Sequence, residues 1–493
     1  MVLLWQTVAV IVVPQSRRWQ TEHQKLRIVL RVGHPPLSAY RSTLSVYLTR
    51  WRFIVSGIPQ SRSRTLTAFA AAAMAGVALL SACGGDTATN PSSSATGSGT
   101  SGTALPSYAA TLSTQLPQIM KDNAIPGAVV LIRTKDKWNW TATFGTQEIG
   151  KDIPMTTDVF FRIGSNTKTM TSTVILQLVE EGKLSLDDPI SKFRPDVPNG
   201  ANITIAQLAE MRSGLFSYTF DEAFNQTLDT SPEKAWTPDE LLAIAFSHPP
   251  NYPPGTTYDY SNTNIVLLGT VIEQLTGMSA SEAFATRIFE PLGLASTFLP
   301  RALDPKLPEP HPQGYQFGSN VATINSYAVP AAELPAALDG TLAPLNFTNA
   351  SPSWAWTAGG AVSTVDDLAT YVTALVDGGL LDEATQKQRL ESIKPITAGG
   401  PVTPGYGLGI VEFAPNVFGH DGQIPGYSSF MVRDAVAGNT VIIAANLSAS
   451  PVAGENAAVV LGKAVLGELY GASSVPGDPA AAAPTTGSAS PTS

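Results

Sequence analysis

The chain has 493 residues, enough for two or three average domains or for one large domain with tails, and 43% of them are hydrophobic, which supports a real core. A single cysteine, Cys83, excludes an internal disulfide framework and any cysteine-rich metal site. Residues 1–64 contain ten of the 30 basic and one of the 39 acidic residues, so the remainder has 20 basic and 38 acidic residues, a net charge of −18 that argues against a nucleic-acid partner.

Residues 55–82 predict a lipoprotein signal peptide. Arg62 and Arg64 form a basic start, an alanine-rich apolar run follows, and the run closes on Leu80-Ser81-Ala82-Cys83. This ending resembles the bacterial lipobox, in which the cysteine is lipidated and becomes the mature N-terminus. We therefore expect an exported protein held at the outer face of the cytoplasmic membrane by a lipid on Cys83. The alternatives are an uncleaved membrane anchor, or a buried helix with a chance cysteine.

The chain on either side of this signal has little folding pattern. Residues 1–54 are basic and patternless, and we interpret them as a spurious upstream extension, with translation starting near Val55. Residues 83–105 form a flexible Gly/Ser/Thr linker, and residues 471–493 form a disordered tail. The folded body is therefore predicted over residues 106–470.

The first part of this body predicts one helix, two strands and a second helix. The helix is expected near 107–123, and apolar, partly β-branched runs predict strands over 126–134 and 137–145. From Thr167 to Glu181 the apolar residues recur at helical spacing and stop at Gly182, a suitable C-cap.

The middle of the body, about 186–345, predicts mainly helices separated by proline-rich loops. Thr204 with Gln207, and Ser279 with Glu282, have the spacing of capping boxes. After it come a predicted helix, three predicted strands and a last helix, in the order 365–376, 407–413, 426–433, 440–448 and 455–470. Strands at both ends predict an α+β fold, an antiparallel sheet flanked by helices with an inserted helical lobe, and a site in the groove between the two parts.

Ser165 and Lys168 are the first candidate catalytic pair. Residues at i and i+3 of a helix share one face, so an amine at 168 can reach a hydroxyl at 165 and accept its proton. The spacing alone is weak, because Ser231 and Lys234 repeat it in a polar loop. Ser165 differs in following "VFFRIG" and preceding a strongly apolar helix. The alternative is that Ser165 merely caps this helix.

Two further motifs favour catalysis. Tyr260-Ser261-Asn262 lies 95 residues after Ser165, and His420-Asp421-Gly422 lies a further 160 residues on, opening the predicted strand "GYSSFMV". Ser-x-x-Lys, Tyr-x-Asn and His-x-Gly in this order resemble the penicillin-recognising serine hydrolases. The resemblance covers about 360 residues and is strongest to class C β-lactamases and serine D-Ala-D-Ala carboxypeptidases. It implies a β-lactamase/transpeptidase-like fold.

The resemblance also implies roles. Ser165 would be the acylated nucleophile with Lys168 as its proton partner, while Tyr260 would act as base or share that role and later protonate the leaving group. Asn262 would position Lys168 and a substrate amide. Which of the lysine and the tyrosine is the base stays open.

The third motif would complete the site. The backbone N–H groups of Ser165 and Gln423 would form the oxyanion hole. His420 replaces the family's usual lysine and would organise the hydroxyl of Tyr260. Asp421 and Gly422 would meet the substrate, but the family often has threonine or serine at position 421. A carboxylate there would repel the substrate carboxylate of a β-lactam or a terminal D-Ala.

We therefore expect an acyl-enzyme serine hydrolase resembling D-Ala-D-Ala carboxypeptidases, acting on a small acyl, peptide or β-lactam substrate. The alternatives are an esterase or β-lactamase of the same fold, and a cell-surface binding protein without turnover. No His-Glu-x-x-His occurs, and no glycine-rich nucleotide loop follows a strand, so no metal or cofactor is expected.

Overall fold

The computed structural model of the chain describes residues 9–10, 30–31, 106–135, 138–301, 306–397 and 404–471. The predicted signal peptide, Cys83, the linker and residues 472–493 of the predicted tail lie outside the described residues. Of the predicted extension, only two short antiparallel strands are described, β1 (Ala9–Val10) and β2 (Leu30–Arg31). They belong to a compact unit, Met1–Thr87, and every element described below belongs to a second unit, Ala88–Ser493.

The second unit is built around an antiparallel sheet of eight strands in the order β4-β3-β14-β13-β12-β11-β10-β9. Two shorter ladders pair β5 with β8 and β6 with β7. The strands are β3 Gly127–Arg133, β4 Asn139–Gly145, β5 Phe161–Arg162, β6 Tyr315–Gln316, β7 Leu345–Asn346, β8 Val362–Ser363, β9 Lys394–Pro395, β10 Gly405–Tyr406, β11 Val411–Ala414, β12 Val417–Ile424, β13 Tyr427–Asp434 and β14 Thr440–Ala445.

Helices cover both faces of this sheet. The longer ones are α1 Ser107–Asp122, α2 Thr167–Glu180, α4 Glu222–Thr230, α5 Pro238–Phe246, α6 Asn262–Thr276, α12 Val365–Asp377, α13 Glu383–Glu391 and α14 Ala457–Tyr470. The shorter ones are α3 Ile205–Ala209, α7 Ala280–Phe284, α8 Glu290–Leu292, α9 Asn320–Thr323, α10 Leu334–Asp339 and α11 Trp356–Gly359. Short 3₁₀ turns lie at Gly164–Asn166, Ile190–Lys192, Gly200–Asn202 and Tyr218–Phe220, and a π-helical turn at Ala285–Phe289.

Strands from the two ends of the unit pair with each other in the sheet. All six residues of β14 are buried, and so are six of the seven in β3, whose Val130 lies opposite Ile443 of β14. α14 packs on β13 and β14 and against α1, while α12 packs on β3, β13 and β14. Buried β-branched runs of this kind are typical of strands covered on both faces. The fold is therefore α+β with an antiparallel sheet flanked by helices, as predicted.

Several elements follow the sequence closely. α1, β3, β4, α2, α12 and α14 lie within a few residues of their predicted bounds. The capping boxes at Thr204 and Ser279 are both formed, and Thr237 forms a third before α5. Each places a side-chain oxygen on a free N–H group of the first helical turn, which is why these residues mark helix starts.

One predicted element differs. The His420-Asp421-Gly422 motif does not open the strand that begins at Tyr427 but lies inside the preceding strand, β12. β12 and β13 form a hairpin in which Ile424 opposes Tyr427. Glycine and aspartate have low β-propensity, so the sequence of β12 hides a strand that its two neighbours impose.

Among the described residues, no helix combines the length and apolar character needed to cross a membrane.

Candidate active site

Ser165 lies in a tight turn that leads into α2. The turn begins at Gly164, whose φ of +51° places it in the left-handed region. A Cβ atom at Gly164 would lie 2.5 Å from the backbone nitrogen of Gln423, so this position requires glycine for two reasons. Ser165 does not cap α2, because the N-cap is Asn166 and no side-chain cap bond forms. The structure thus removes the helix-cap interpretation of Ser165.

The turn is attached to the sheet by side-chain hydrogen bonds. The Asn166 side chain donates to the Ser429 hydroxyl at 2.7 Å, and that hydroxyl donates to the carbonyl of Ile163 at 2.8 Å. Ser429 lies on β13, more than 260 residues further along the chain. These bonds hold the candidate nucleophile in a fixed place relative to the hairpin of β12 and β13.

Lys168 contacts Ser165 directly. Its Nζ lies 2.8 Å from the Ser165 Oγ, 2.7 Å from the Asn262 Oδ1 and 2.7 Å from the carbonyl oxygen of Ala358. The lysine side chain is fully buried, whereas Ser165 is partly exposed. The pair therefore combines an accessible hydroxyl with a shielded amine.

Burial also sets the charge of Lys168. Removal from water lowers the pKa of its amine well below the ordinary value, and the nearby Asp421 carboxylate partly opposes this by favouring the ammonium form. A neutral amine has a lone pair that can accept the proton of a hydroxyl group. The lowered pKa thus makes the neutral form of Lys168, and with it the role of a base, more accessible.

The pKa of Tyr260 shifts in the opposite direction, upwards. Burial, followed by the neighbouring Tyr406, raises the pKa of its phenol well above the usual value, and the side chain of Ser165 partly offsets the rise. The Lys168 Nζ lies 4.8 Å from the centre of the Tyr260 ring. A phenol that keeps its proton is better suited to donate than to accept one.

Asn262 is oriented by a residue that the sequence did not indicate. It begins α6, and its Nδ2 donates to the Thr219 hydroxyl at 3.3 Å, so its Oδ1 faces Lys168. The Ser217 hydroxyl accepts the backbone N–H of Asn262 at 3.1 Å. Asn262 therefore contacts the amine of Lys168, and its role in positioning that amine stays a prediction.

His420 has a different partner from the one predicted. Its Nδ1 lies 2.6 Å from the carbonyl oxygen of Asp421, which can only accept, so Nδ1 carries the proton. Its Nε2 then accepts from the Tyr406 hydroxyl at 3.1 Å, and not from Tyr260. Burial and the nearby Lys168 lower the pKa of His420 to about 3, so the ring is neutral at neutral pH. Tyr406 is therefore a hydrogen-bond partner of His420 that the sequence did not indicate.

Gln423 is placed to donate a backbone N–H towards the nucleophile. Gln423 lies one position before Ile424, which closes the two-residue hairpin opposite Tyr427. In an antiparallel pair successive residues alternate in direction, so the N–H of Gln423 points away from β13 and towards the Gly164 turn. The close approach of Gly164 to this nitrogen agrees with that direction. The N–H of Gln423 therefore lies beside the turn that contains Ser165, and the oxyanion hole formed by these two residues stays a prediction.

Asp421 and Gly422 have different surroundings in the structure, although they are adjacent in the chain. The Asp421 side chain lines the cavity at Ser165 and is only 3% exposed, with its Oδ2 accepting from the Asn456 side chain at 3.3 Å. Gly422 does not line this cavity: a Cβ there would lie 1.9 Å from the carbonyl oxygen of Ile163, so it is glycine because the nucleophile turn packs on it. Asp421 is thus a cavity residue, and Gly422 a packing residue.

The cavity at Ser165 has a volume of about 370 Å³. Its walls come from the helical segment, through Thr219, Asp259 and Tyr260, and from the sheet, through Asp421 and Gln423. Among the residues that the structure describes, its lining includes two carboxylates and no lysine, arginine or histidine. Charge in this cavity is therefore negative.

The described part of the chain contains no group of three or more histidine, cysteine, aspartate or glutamate side chains placed to hold a metal ion.

Comparison with known proteins gives one family. A family model described as Beta-lactamase matches residues 112–465. Among curated proteins, the chain is similar to PbpX of Bacillus subtilis (strain 168), with 26% identity over 284 residues that cover 57% of this chain and 61% of that protein. The chain spans from about a third to about three fifths of the length of the curated relatives it matches.

Two solved structures are similar over most of the described unit. One is a D-stereospecific amidohydrolase from Streptomyces sp., with 31% identity and a TM-score of 0.62, covering 74% of this chain and 99% of that chain. The other is the D-amino acid amidase from Ochrobactrum anthropi SV3 complexed with D-phenylalanine, with 28% identity and a TM-score of 0.59, covering 73% and 99%.

Proposed function

The chain belongs to the Beta-lactamase family of serine hydrolases, and from this membership we propose that it is an amidohydrolase that forms an acyl-enzyme on Ser165. The observation that carries the proposal is the 2.8 Å contact between the Lys168 Nζ and the Ser165 Oγ, in which the amine is buried and held by Asn262. A serine hydroxyl becomes a strong nucleophile only when a base takes its proton.

Acylation would begin at the substrate carbonyl. The Ser165 Oγ attacks the carbonyl carbon while its proton passes to Lys168, and the carbonyl oxygen becomes an oxyanion that accepts from the N–H groups of Ser165 and Gln423. The carbon–nitrogen bond then breaks as the Tyr260 hydroxyl protonates the leaving nitrogen. Lys168 returns the proton to Tyr260. The products are a free amine or ammonia and an ester on Ser165.

Deacylation would reverse these proton transfers. A water molecule gives a proton to the base and attacks the ester carbon, and the ester bond to the Ser165 Oγ breaks as that oxygen regains its proton. The raised pKa of Tyr260 and the lowered pKa of Lys168 support this division, with the lysine as base and the tyrosine as acid.

The charge of the cavity supports amides over substrates with a terminal carboxylate. Asp259 and Asp421 both line it, and two like charges would repel the carboxylate of a β-lactam or of a terminal D-Ala. The carboxypeptidase and β-lactamase activities that the sequence resemblance implied are therefore less favoured. The two similar proteins of known structure are a D-stereospecific amidohydrolase and a D-amino acid amidase.

The test is a substrate panel with Ser165→Ala as the control variant. We expect hydrolysis of D-phenylalanine amide, little release of D-Ala from a peptide ending in D-Ala-D-Ala, and loss of at least about a thousandfold in kcat in the variant. Intact-mass analysis with a fluorophosphonate would show an adduct in the wild type only. Efficient release of D-Ala would reverse the substrate assignment, and an adduct that persists in Ser165→Ala would remove the nucleophile.

We also propose, from the sequence alone, that the protein is exported and anchored through a lipid on Cys83. The support is the lipobox-like ending of residues 55–82 and the linker that follows.

A further inference from the structure

We propose that Asp259 binds an ammonium group of the substrate, so that the enzyme selects amides that have a free amino group. The inference rests on the proposed amidohydrolase function and adds a recognition site to it. Asp259 immediately precedes Tyr260 and lines the same cavity as Ser165.

Asp259 is held by one backbone and one side-chain hydrogen bond. Its backbone N–H donates to the carbonyl of Met211 at 2.8 Å, and its Oδ2 accepts from the Asn251 side chain at 2.8 Å. Asn251 is itself fixed by a 2.7 Å bond from its N–H to the carbonyl of Gly214. A carboxylate held in this way loses little further freedom when it binds a ligand.

The second carboxylate oxygen of Asp259, Oδ1, lacks a donor in the described part of the chain. The residue is only 9% exposed, and among the described residues no group donates a hydrogen bond to its Oδ1. A carboxylate oxygen without a donor can accept a charge-assisted hydrogen bond from a cationic ligand that enters the cavity. Burial accordingly raises the pKa of Asp259, and the Asn251 bond only partly offsets this.

The other charged groups near Ser165, which are Lys168 and Asp421, already have interactions of their own, which leaves Asp259 to bind an ammonium group. Lys168 is committed to Ser165, Asn262 and a backbone carbonyl, so it cannot pair with Asp259. Asp421 accepts from Asn456 and acts on the charge of Lys168. An ammonium group is the ligand that a shielded carboxylate beside a nucleophile favours, because it supplies both charge and donors.

The experiment compares two amides that differ only in the amino group. D-phenylalanine amide has it, and 3-phenylpropanamide lacks it. We measure the ratio of their kcat/KM values in the wild type, in Asp259→Asn, and in a matched control, Asp239→Asn, whose side chain is exposed on α5. The ratio should fall roughly 10- to 100-fold in Asp259→Asn, as expected for one hydrogen bond to a charged group, and stay constant in the control.

A second measurement does not require amidase activity. Phenethylamine should slow the labelling of Ser165 by a fluorophosphonate in the wild type but not in Asp259→Asn, and phenethyl alcohol should slow neither. If neither amide is hydrolysed, the amidohydrolase function fails, and this protection assay still decides on Asp259.

Three outcomes would overturn the assignment. The first is an unchanged ratio of the two kcat/KM values in an Asp259→Asn protein that the fluorophosphonate still labels. The second is that phenethylamine does not protect the wild type from labelling. The third is that the ratio falls in Asp421→Asn but not in Asp259→Asn. The last result would move the ammonium site to Asp421.

Discussion

The number of partners around Lys168 matches a neutral amine. A neutral amine has two N–H donors and one lone pair, whereas an ammonium has three donors and none. Two of the three neighbours, the Oδ1 of Asn262 and the carbonyl of Ala358, can only accept, and the third, the hydroxyl of Ser165, can donate. This arrangement directs the lone pair at the nucleophile, which is the requirement for a general base.

Asp421 is expected to set the acid limit of activity. Its charge favours the ammonium form of Lys168 and so raises the pKa of that amine. Asp421→Asn should lower this pKa, and because the active form is the neutral amine, the acidic limb of the kcat/KM profile should move to lower pH. His420 does not produce this limb, because its pKa of about 3 keeps it neutral.

The profile should be measured with an uncharged nitrophenyl ester, so that substrate charge does not contribute. Asp366→Asn, an exposed carboxylate paired with Arg133, is the matched control and should leave the limb in place. A limb that moves to higher pH in Asp421→Asn would contradict the assigned base.

The candidate site shows what a sequence can and cannot predict at this scale. Ser165, Lys168, Tyr260 and Asn262 stand in motifs with fixed spacing, and the structure brings their side chains together. The hydrogen-bond partner of His420, in contrast, could not be predicted from the sequence. Tyr406 lies on β10, a neighbour of β11 in the sheet, and no local pattern records that pairing.

At the scale of elements, the turn before α2 depends on Gly164. We expect Gly164→Ala to destabilise the protein by about 1 to 2 kcal/mol for the left-handed backbone. The close approach to Gln423 should add about 1 to 3 kcal/mol. Fluorophosphonate labelling should fall as well, because the displaced turn would move Ser165 away from the N–H of Gln423.

Gly277 offers a matched control for this prediction. It ends α6 with a φ of +69°, and a Cβ atom at this position would meet no atom of the described residues within 4 Å, so Gly277→Ala carries only the cost of the backbone conformation. Thermal unfolding and labelling of both variants check the prediction. Equal losses of stability, with labelling intact in both, would show that the contact with Gln423 is unimportant.

The elements predicted best are those whose signals are local. The sequence places Gln207 three residues after Thr204 and Glu282 three residues after Ser279, as a capping box needs, and the structure forms both boxes. β12 was missed because its sequence, "VFGHDGQI", lacks the alternation of a strand, and only the pairing with β11 and β13 makes it one. Long-range pairing is what local propensity cannot report.

At the scale of the whole molecule, the lipid anchor is a testable proposal. In a bacterial host fed an alkyne-tagged fatty acid, the wild type should take up the tag and Cys83→Ser should not, because the thiol is the acceptor. Ser81→Ala, which leaves the cysteine in place, is the control and should still be tagged. Equal tagging of Cys83→Ser and the wild type would exclude this site.

The overall fold class could be predicted because strands cluster near both ends of the body and helices between them. The order of the strands could not. β3 lies beside β14, more than 300 residues away, because both are apolar on two faces and must be covered on both sides. Such a pairing is chosen by burial across the whole chain and not by neighbours in sequence.

The hydrogen bonds that join the nucleophile turn to Ser429 have a consequence for when the enzyme becomes reactive. Ser429 follows Ile163 by 266 residues, so the turn is incomplete until the hairpin of β12 and β13 has formed. Contacts this distant in sequence form late, because closing a long loop is slow. A newly made chain would therefore not react at Ser165 until β12 and β13 have paired. The rate at which Ser165 becomes reactive to a covalent label would then report the end of refolding.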